Sequence, residues 1–231
     1  MKRSIFNWSG GKDSALAFYY SKNDPEISME CLLTSISKEH QRISMHGVRR
    51  SLLEAQVEAL KLPITILELP PETDMKTYDQ LMRNTLEPLA AGGFQYSIFG
   101  DIFLEDLKKY RDQKLSEVGL TGIYPLWKRN TKDLIKEFLG LGFRTIVVSI
   151  DGSKLDPSFA GRELDDSFLE DLPDGVDPCG ENGEFHTFVF DGPIFENPID
   201  FRLGDLVSKE YKLAKDSSES VTYYFKDLLL E

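Results

Sequence analysis

The chain is poor in cysteine and histidine, and each shortage removes a class of chemistry. Its two cysteines, Cys31 and Cys179, lie far apart with no Cys-x-x-Cys pair, which excludes a disulfide framework and a cysteine-based structural zinc site. The three histidines, His40, His46 and His186, show no His-Glu-x-x-His spacing. Long apolar runs are missing too, and none approaches the roughly 20 residues a transmembrane helix needs. Lys2 and Arg3 could open a signal peptide, but Asn7 and residues 10–13 interrupt any apolar core behind them, so a cytoplasmic protein with no membrane partner is expected. Positive charge is also scarce. Lys and Arg total 27 against 39 Asp and Glu, a formal net of −12, which disfavours extended nucleic acid as a partner but not a mononucleotide.

What remains is an ordinary globular balance over 231 residues, with 41% hydrophobic and 29% charged side chains. Up to about residue 127 the pattern alternates. Strands are predicted at 3–8, 30–37, 64–69 and 96–99, and helices at 13–21, 51–62, around Tyr78 to Leu89, and at 104–118. Such alternation gives an α/β fold, a parallel sheet with helices on both faces. Beyond Trp127 the texture changes: a helix at 132–141, strong strands at 143–150 and 184–190, and a short one at 221–225. Residues 151–178 carry nine acidic side chains against two basic ones, which reads as a solvated loop or a binding lid. Two units follow, 1–127 and a smaller α/β unit at 128–231.

Ser9-Gly10-Gly11-Lys12-Asp13-Ser14 is the most informative string. A given six-residue string arises in a chain of this length with a probability on the order of 10⁻⁵. It follows the first strand and opens the first helix, at the strand's carboxyl end, where ligands of parallel sheets bind. Two glycines let the backbone approach a polyanion, helix-start N–H groups attract phosphate, and Ser9, Ser14 and Lys12 add hydroxyls and a cation. The string is neither a Walker loop nor Gly-x-Gly-x-x-Gly. It resembles the pyrophosphate (PP) loop of the ATP pyrophosphatases. A second concentration of reactive groups spans 177–189, where Cys179, Glu181, Glu184, His186 and Thr187 lie among Gly180, Asn182 and Gly183. Strand alternation predicts Glu184, His186 and Phe188 on one face.

SGGKDS, Gly100-Asp101-Ile102, YPLW at 124–127, CGENGEFHTFV at 179–189 and DGP at 191–193 together resemble the diphthine–ammonia ligase family over almost the whole chain. The segments MHGVRR (45–50), FLEDLKKYRDQ (103–113) and FAGRELD (159–165) look closer to its bacterial-type members. The resemblance implies a three-layer adenine-nucleotide α-hydrolase-like (HUP/PP-loop) domain followed by a smaller one. It implies a ligase that adenylates a carboxylate, releasing pyrophosphate from ATP and leaving AMP, and then transfers ammonia or an amine. The carboxylate would belong to a small molecule or to a modified protein such as an elongation factor. On this reading residues 9–14 bind ATP, and Lys12, Asp101, Glu181, Glu184 and His186 are catalytic. Asp13 and Asp101 position Mg²⁺. Cys179, Gly180, Asn182, Gly183, Thr187 and Arg111 contact the substrate. Arg49, Arg50 and His46 either close over the nucleotide or form a solvated helix start. Two rivals stand beside it: a nucleotide sensor without turnover, and a PP-loop tRNA-modifying enzyme.

Overall fold

The computed structural model describes residues 1–44, 46–212 and 220–231, so Met45 of the MHGVRR segment lies outside the described residues. Strand β1 (Lys2–Asn7) is the centre of the first sheet. It pairs in parallel with β2 (Ile27–Ser37) on one side and with β5 (Tyr96–Ile98) on the other. Parallel β4 (Ile64–Leu69) continues beyond β2 and parallel β6 (Thr121–Ile123) beyond β5, while two-residue β3 (Arg42–Ile43) adds antiparallel to β2. The chain therefore builds outward from β1 on one side and then returns to build on the other. The β1/β5 seam is where the strand order reverses, and in open α/β sheets the crevice at such a seam holds the ligand.

Period-two burial makes three layers. Phe6, Leu32 and Ile98 face Ala15, Leu16 and Phe18 of α1 (Lys12–Asn23), Leu52 and Leu53 of α2 (Arg50–Leu60), and Leu134 and Phe138 of α5 (Thr131–Gly140). Their chain neighbours Ile5, Leu33 and Phe99 face Leu86 of α3 (Met75–Ala91) and Leu115 of α4 (Glu105–Ser116) on the opposite side. No helix among the described residues is long and apolar enough to cross a membrane.

A second, antiparallel sheet has the order β8-β7-β10-β9, with β7 at Arg144–Asp151, β8 at Phe185–Asp191, β9 at Phe201–Lys212 and β10 at Ser220–Leu230. Two expectations change here. The last strand runs through 220–230 rather than 221–225, and it pairs with β9, which the sequence pattern does not announce. Residues 151–178 form neither a solvated loop nor a lid. Leu155, Phe159, Leu164 and Phe168 are buried, and Arg162, Gly161 and Leu164 exchange backbone hydrogen bonds with β7. The acidic side chains ride on an apolar underside.

The two sheets meet at the phosphate loop. Val189 of β8 donates its N–H to the Gly10 carbonyl at 2.9 Å, and Thr187 Oγ1 accepts the Lys12 N–H at 3.0 Å. Fully buried Gln56 of α2 ties the junction together. Its Nε2 donates to the carbonyls of Gly10 (3.0 Å) and Val189 (2.7 Å), and its Oε1 accepts the Trp8 indole N–H at 2.9 Å. Trp8 packs edge-on against Phe18, with Phe6 alongside, which fixes the chain as it leaves β1.

Candidate active site

A cavity of about 980 Å³ opens at the carboxyl ends of β1, β2 and β5. Ser9, Gly11, Lys12, Asp13 and Ser14 form its floor, the α3 and α4 faces one wall, and residues 179–187 another. Gly10 turns away into the Gln56 and Val189 contacts at φ +81°, a conformation that favours glycine. Gly100 allows the end of β5 to touch α1, because a Cβ there would come within 2.9 Å of the Asp13 carbonyl and the Ser14 nitrogen.

The loop is held by its own hydrogen bonds. Ser9 Oγ and Ser14 Oγ lie 3.0 Å apart, and Ser14 Oγ donates to the Gly11 carbonyl. Lys12 is only 4% exposed; its Nζ pairs with Asp13 Oδ2 at 2.7 Å and stands 5.5 Å from the Phe185 ring centre. Burial works against the Lys12 charge, but Asp13, Cys179 and Glu181 outweigh it and leave the pKa raised. Burial likewise raises the Asp13 carboxyl, despite the neighbouring Lys12. Glu181 receives the Ile102 N–H at 3.4 Å, and burial, with Asp13 adding repulsion, pushes its pKa up to about 8.

The remaining predicted residues divide. Asp101 and Arg111 both line the cavity and form an ion pair, with the guanidinium 4.6 Å from the Phe99 ring centre. His186 and Thr187 both reach the cavity although they are chain neighbours. A register shift between Val147 and Ser149 puts an extra residue of β7 opposite this pair. Glu184 does not line the cavity. It is 4% exposed, and its carboxylate accepts the N–H groups of Asp177 (3.2 Å) and Asn182 (2.9 Å) and the Asn182 side-chain amide (3.0 Å). It shapes the loop from within. Buried Cys179 lines the cavity and hydrogen-bonds the Thr131 carbonyl at 3.3 Å, and burial raises its pKa, which disfavours the thiolate.

His46 completes the site. Its ring lies 4.7 Å from that of His186, and its Nδ1 is 3.1 Å from the Thr187 carbonyl. A carbonyl only accepts, so Nδ1 carries the proton and Nε2 is left as a lone pair. Burial lowers the His46 pKa to about 4 and the His186 pKa to about 3, with Lys12 adding repulsion to both, so both rings are neutral at pH 7. Thr34 and Ser35 at the end of β2 also line the cavity. The parallel pairing of β2 with β1 puts them there, and strand order is not readable from local pattern.

These shifts give a pH window. Between pH 7.5 and 8.5 the histidines are almost wholly neutral whether the chain is folded or not, while Glu181 binds a proton only in the folded state. The folded protein then holds more protons, so stability falls as pH rises through that window. Unfolding measured at pH 7.5 and 8.5 should show this decline, and Glu181→Gln should flatten it. An equal slope in the variant would place the buried proton elsewhere.

A glycine-rich loop after the central strand, at the seam where the strand order reverses, and braced by a second sheet, defines a PP-loop α/β protein. Residues 1–122 match the family model described as the diphthamide synthase N-terminal domain, and 130–217 match the diphthamide synthase C-terminal domain; the chain belongs to the diphthamide synthase family. Similar curated relatives are named diphthine–ammonia ligase. The cattle protein is 31% identical over 126 residues, covering 52% of this chain and 42% of its own length. The human protein is 31% identical over 102 residues, covering 42% of this chain and 38% of its own. The chain thus spans less than half the length of these relatives. Among solved structures, the U34-tRNA thiolase NcsA from Methanococcus maripaludis with its [4Fe-4S] cluster aligns with a TM-score of 0.37 and 16% identity, over 61% of this chain and 58% of that one, a likeness too slight to build on.

Proposed function

We propose that the chain is an ATP-dependent carbon–nitrogen ligase that adenylates a carboxylate and then amidates it. One observation carries this reading: the hydrogen bond from Lys12 N to Thr187 Oγ1 joins the phosphate loop and the 177–187 loop in one cavity. A carboxylate oxygen attacks the α-phosphorus of ATP, and the bond to the β-phosphate oxygen breaks. Pyrophosphate leaves with the electron pair, and an acyl-adenylate remains. Ammonia then adds to the acyl carbon, AMP departs, and a proton is lost from nitrogen. Negative charge grows on the leaving pyrophosphate, which Lys12 and the hydroxyls of Ser9 and Ser14 are placed to meet. Arg111 is placed to orient the substrate carboxylate, exchanging it for Asp101. Glu181, with its raised pKa, suits the role of proton acceptor from the attacking nitrogen. The neutral rings of His46 and His186 line the same cavity without adding charge.

Mg²⁺ fits this donor set when it arrives with ATP. Among the described residues no group of three or more His, Cys, Asp or Glu is gathered for a metal, but Mg²⁺ on a nucleotide needs only one or two carboxylates. Asp13 on the cavity floor would hold the ion, with Asp101 joining it once Arg111 turns to the substrate carboxylate. When bound, it would supply positive charge to the phosphates.

The relatives' name points to diphthine as the carboxylate and ammonia as the nitrogen source. The test is release of pyrophosphate and AMP from Mg·ATP, with and without ammonium, over diphthine-bearing elongation factor and a panel of small carboxylic acids. Substrate-dependent AMP is expected. Tight ATP binding with no AMP under any condition would sink the ligase and leave a nucleotide sensor.

A further inference from the structure

Strand β10 lies beyond both segments that match the family models, yet it builds part of the nucleotide side of the molecule. Alternate residues of this strand carry the contact. Tyr223 lines the cavity. The Phe225 ring backs Gly47, where a Cβ would come within 3.0 Å of Cδ1. The Asp227 carboxylate accepts from Arg49 Nε (3.0 Å) and Nη2 (2.6 Å) and from Arg42 Nη1 (2.9 Å).

Both arginines flank the turn between β3 and α2. Arg42 Nη1 also donates to the Gly47 carbonyl at 2.7 Å, and Arg49 is the residue from which α2 begins. The turn closes on itself through Gly47 N to the Ile43 carbonyl (3.0 Å) and Ile43 N to the Val48 carbonyl (2.8 Å). It carries His46 to the Thr187 carbonyl and hard against the phosphate loop, where a Cβ on Gly11 would come within 2.7 Å of His46 Cε1. A carboxylate gripping one guanidinium through two of its nitrogens fixes direction as well as distance. Arg42 and Arg49 are partly exposed, 32% and 42% at the side chain, so the cluster adds little to global stability and acts chiefly through geometry.

We propose that Asp227 is a positioning residue for the nucleotide site: through Arg42 and Arg49 it holds the turn that seats His46 against the phosphate loop. The proposal rests on the reading of that loop as the ATP site. Two readouts keep the two ideas separable. The first is the ¹⁵N spectrum of the His46 imidazole, which reports its Nδ1–H bond to Thr187 with no nucleotide present. The second is Mg·ATP affinity for Asp227→Ala, His46→Ala and the double variant.

Asp227→Ala should shift the His46 signals and weaken ATP binding about tenfold, a typical coupling between neighbouring groups. The double variant should bind no worse than His46→Ala alone, because Asp227 acts only through the seated ring. Lys61→Ala removes the exposed Lys61–Glu196 pair and should change neither readout. An unchanged His46 spectrum in Asp227→Ala would overturn the proposal. So would losses that multiply in the double variant. Failure of the wild type to bind ATP, with His46 still displaced in Asp227→Ala, would instead bring down the nucleotide reading and leave the seating of His46 intact.

Discussion

Lys12→Met is expected to lower substrate-dependent pyrophosphate release by about 10²–10³-fold, the usual effect of removing one preorganised donor from a site of developing negative charge. Methionine keeps the length and apolar packing of the stem beneath the Phe185 ring, so the fold should tolerate it. What disappears is a cation held out of water, where its interaction with phosphate is far stronger than at a surface. Asp13 loses its partner at 2.7 Å and, with its pKa already raised, takes up a proton, so no bare buried charge is left to unfold the chain. Steady-state assays of pyrophosphate and AMP beside a thermal melt decide the matter. A melt near wild type with release cut by less than tenfold would remove Lys12 from the chemistry.

Glu184→Ala should cost about 3 kcal/mol of folding stability, because three donors that now share one buried carboxylate would lose it and would not all find water. Glu184→Gln keeps one acceptor oxygen but turns an amide N–H toward another donor, so it should recover only part of the loss. Denaturant unfolding measures both. Turnover should fall in step with stability, since the 177–184 loop that sets Glu181 in the cavity loosens. Full stability with abolished turnover would show that the carboxylate acts on the substrate and does not build the loop.

The phosphate loop is legible in the chain because its determinants are local: an apolar strand, two glycines and a helix start lie within about a dozen residues. The three layers are legible for the same reason, since Phe6 and Ile5, or Leu32 and Leu33, declare opposite faces by alternation alone. Strand β9 is hidden because it is an edge strand whose apolar residues Leu203, Leu206, Val207 and Tyr211 stay exposed among charges and show no buried face. The orientation of Glu184 is hidden because it stands in the turn before β8, where strand alternation does not apply. Gln56 and Asp227 are hidden by distance, as are the contacts of His46: their partners stand 46 to 185 positions away in the chain, and only the assembled sheets bring them together.

The hydrogen bond from Lys12 to Thr187 closes a separation of 175 residues. On the ribosome, the first sheet can be synthesised and collapsed while the acceptor for this amide has yet to be made. Contacts so remote in sequence are slow to close, because the entropy of a long loop must be overcome before they contribute. Nucleotide affinity should therefore emerge late in biosynthesis, only after β8 has left the exit tunnel, so that a nascent chain halted before that point has its SGGKDS segment but no competent grip on phosphate.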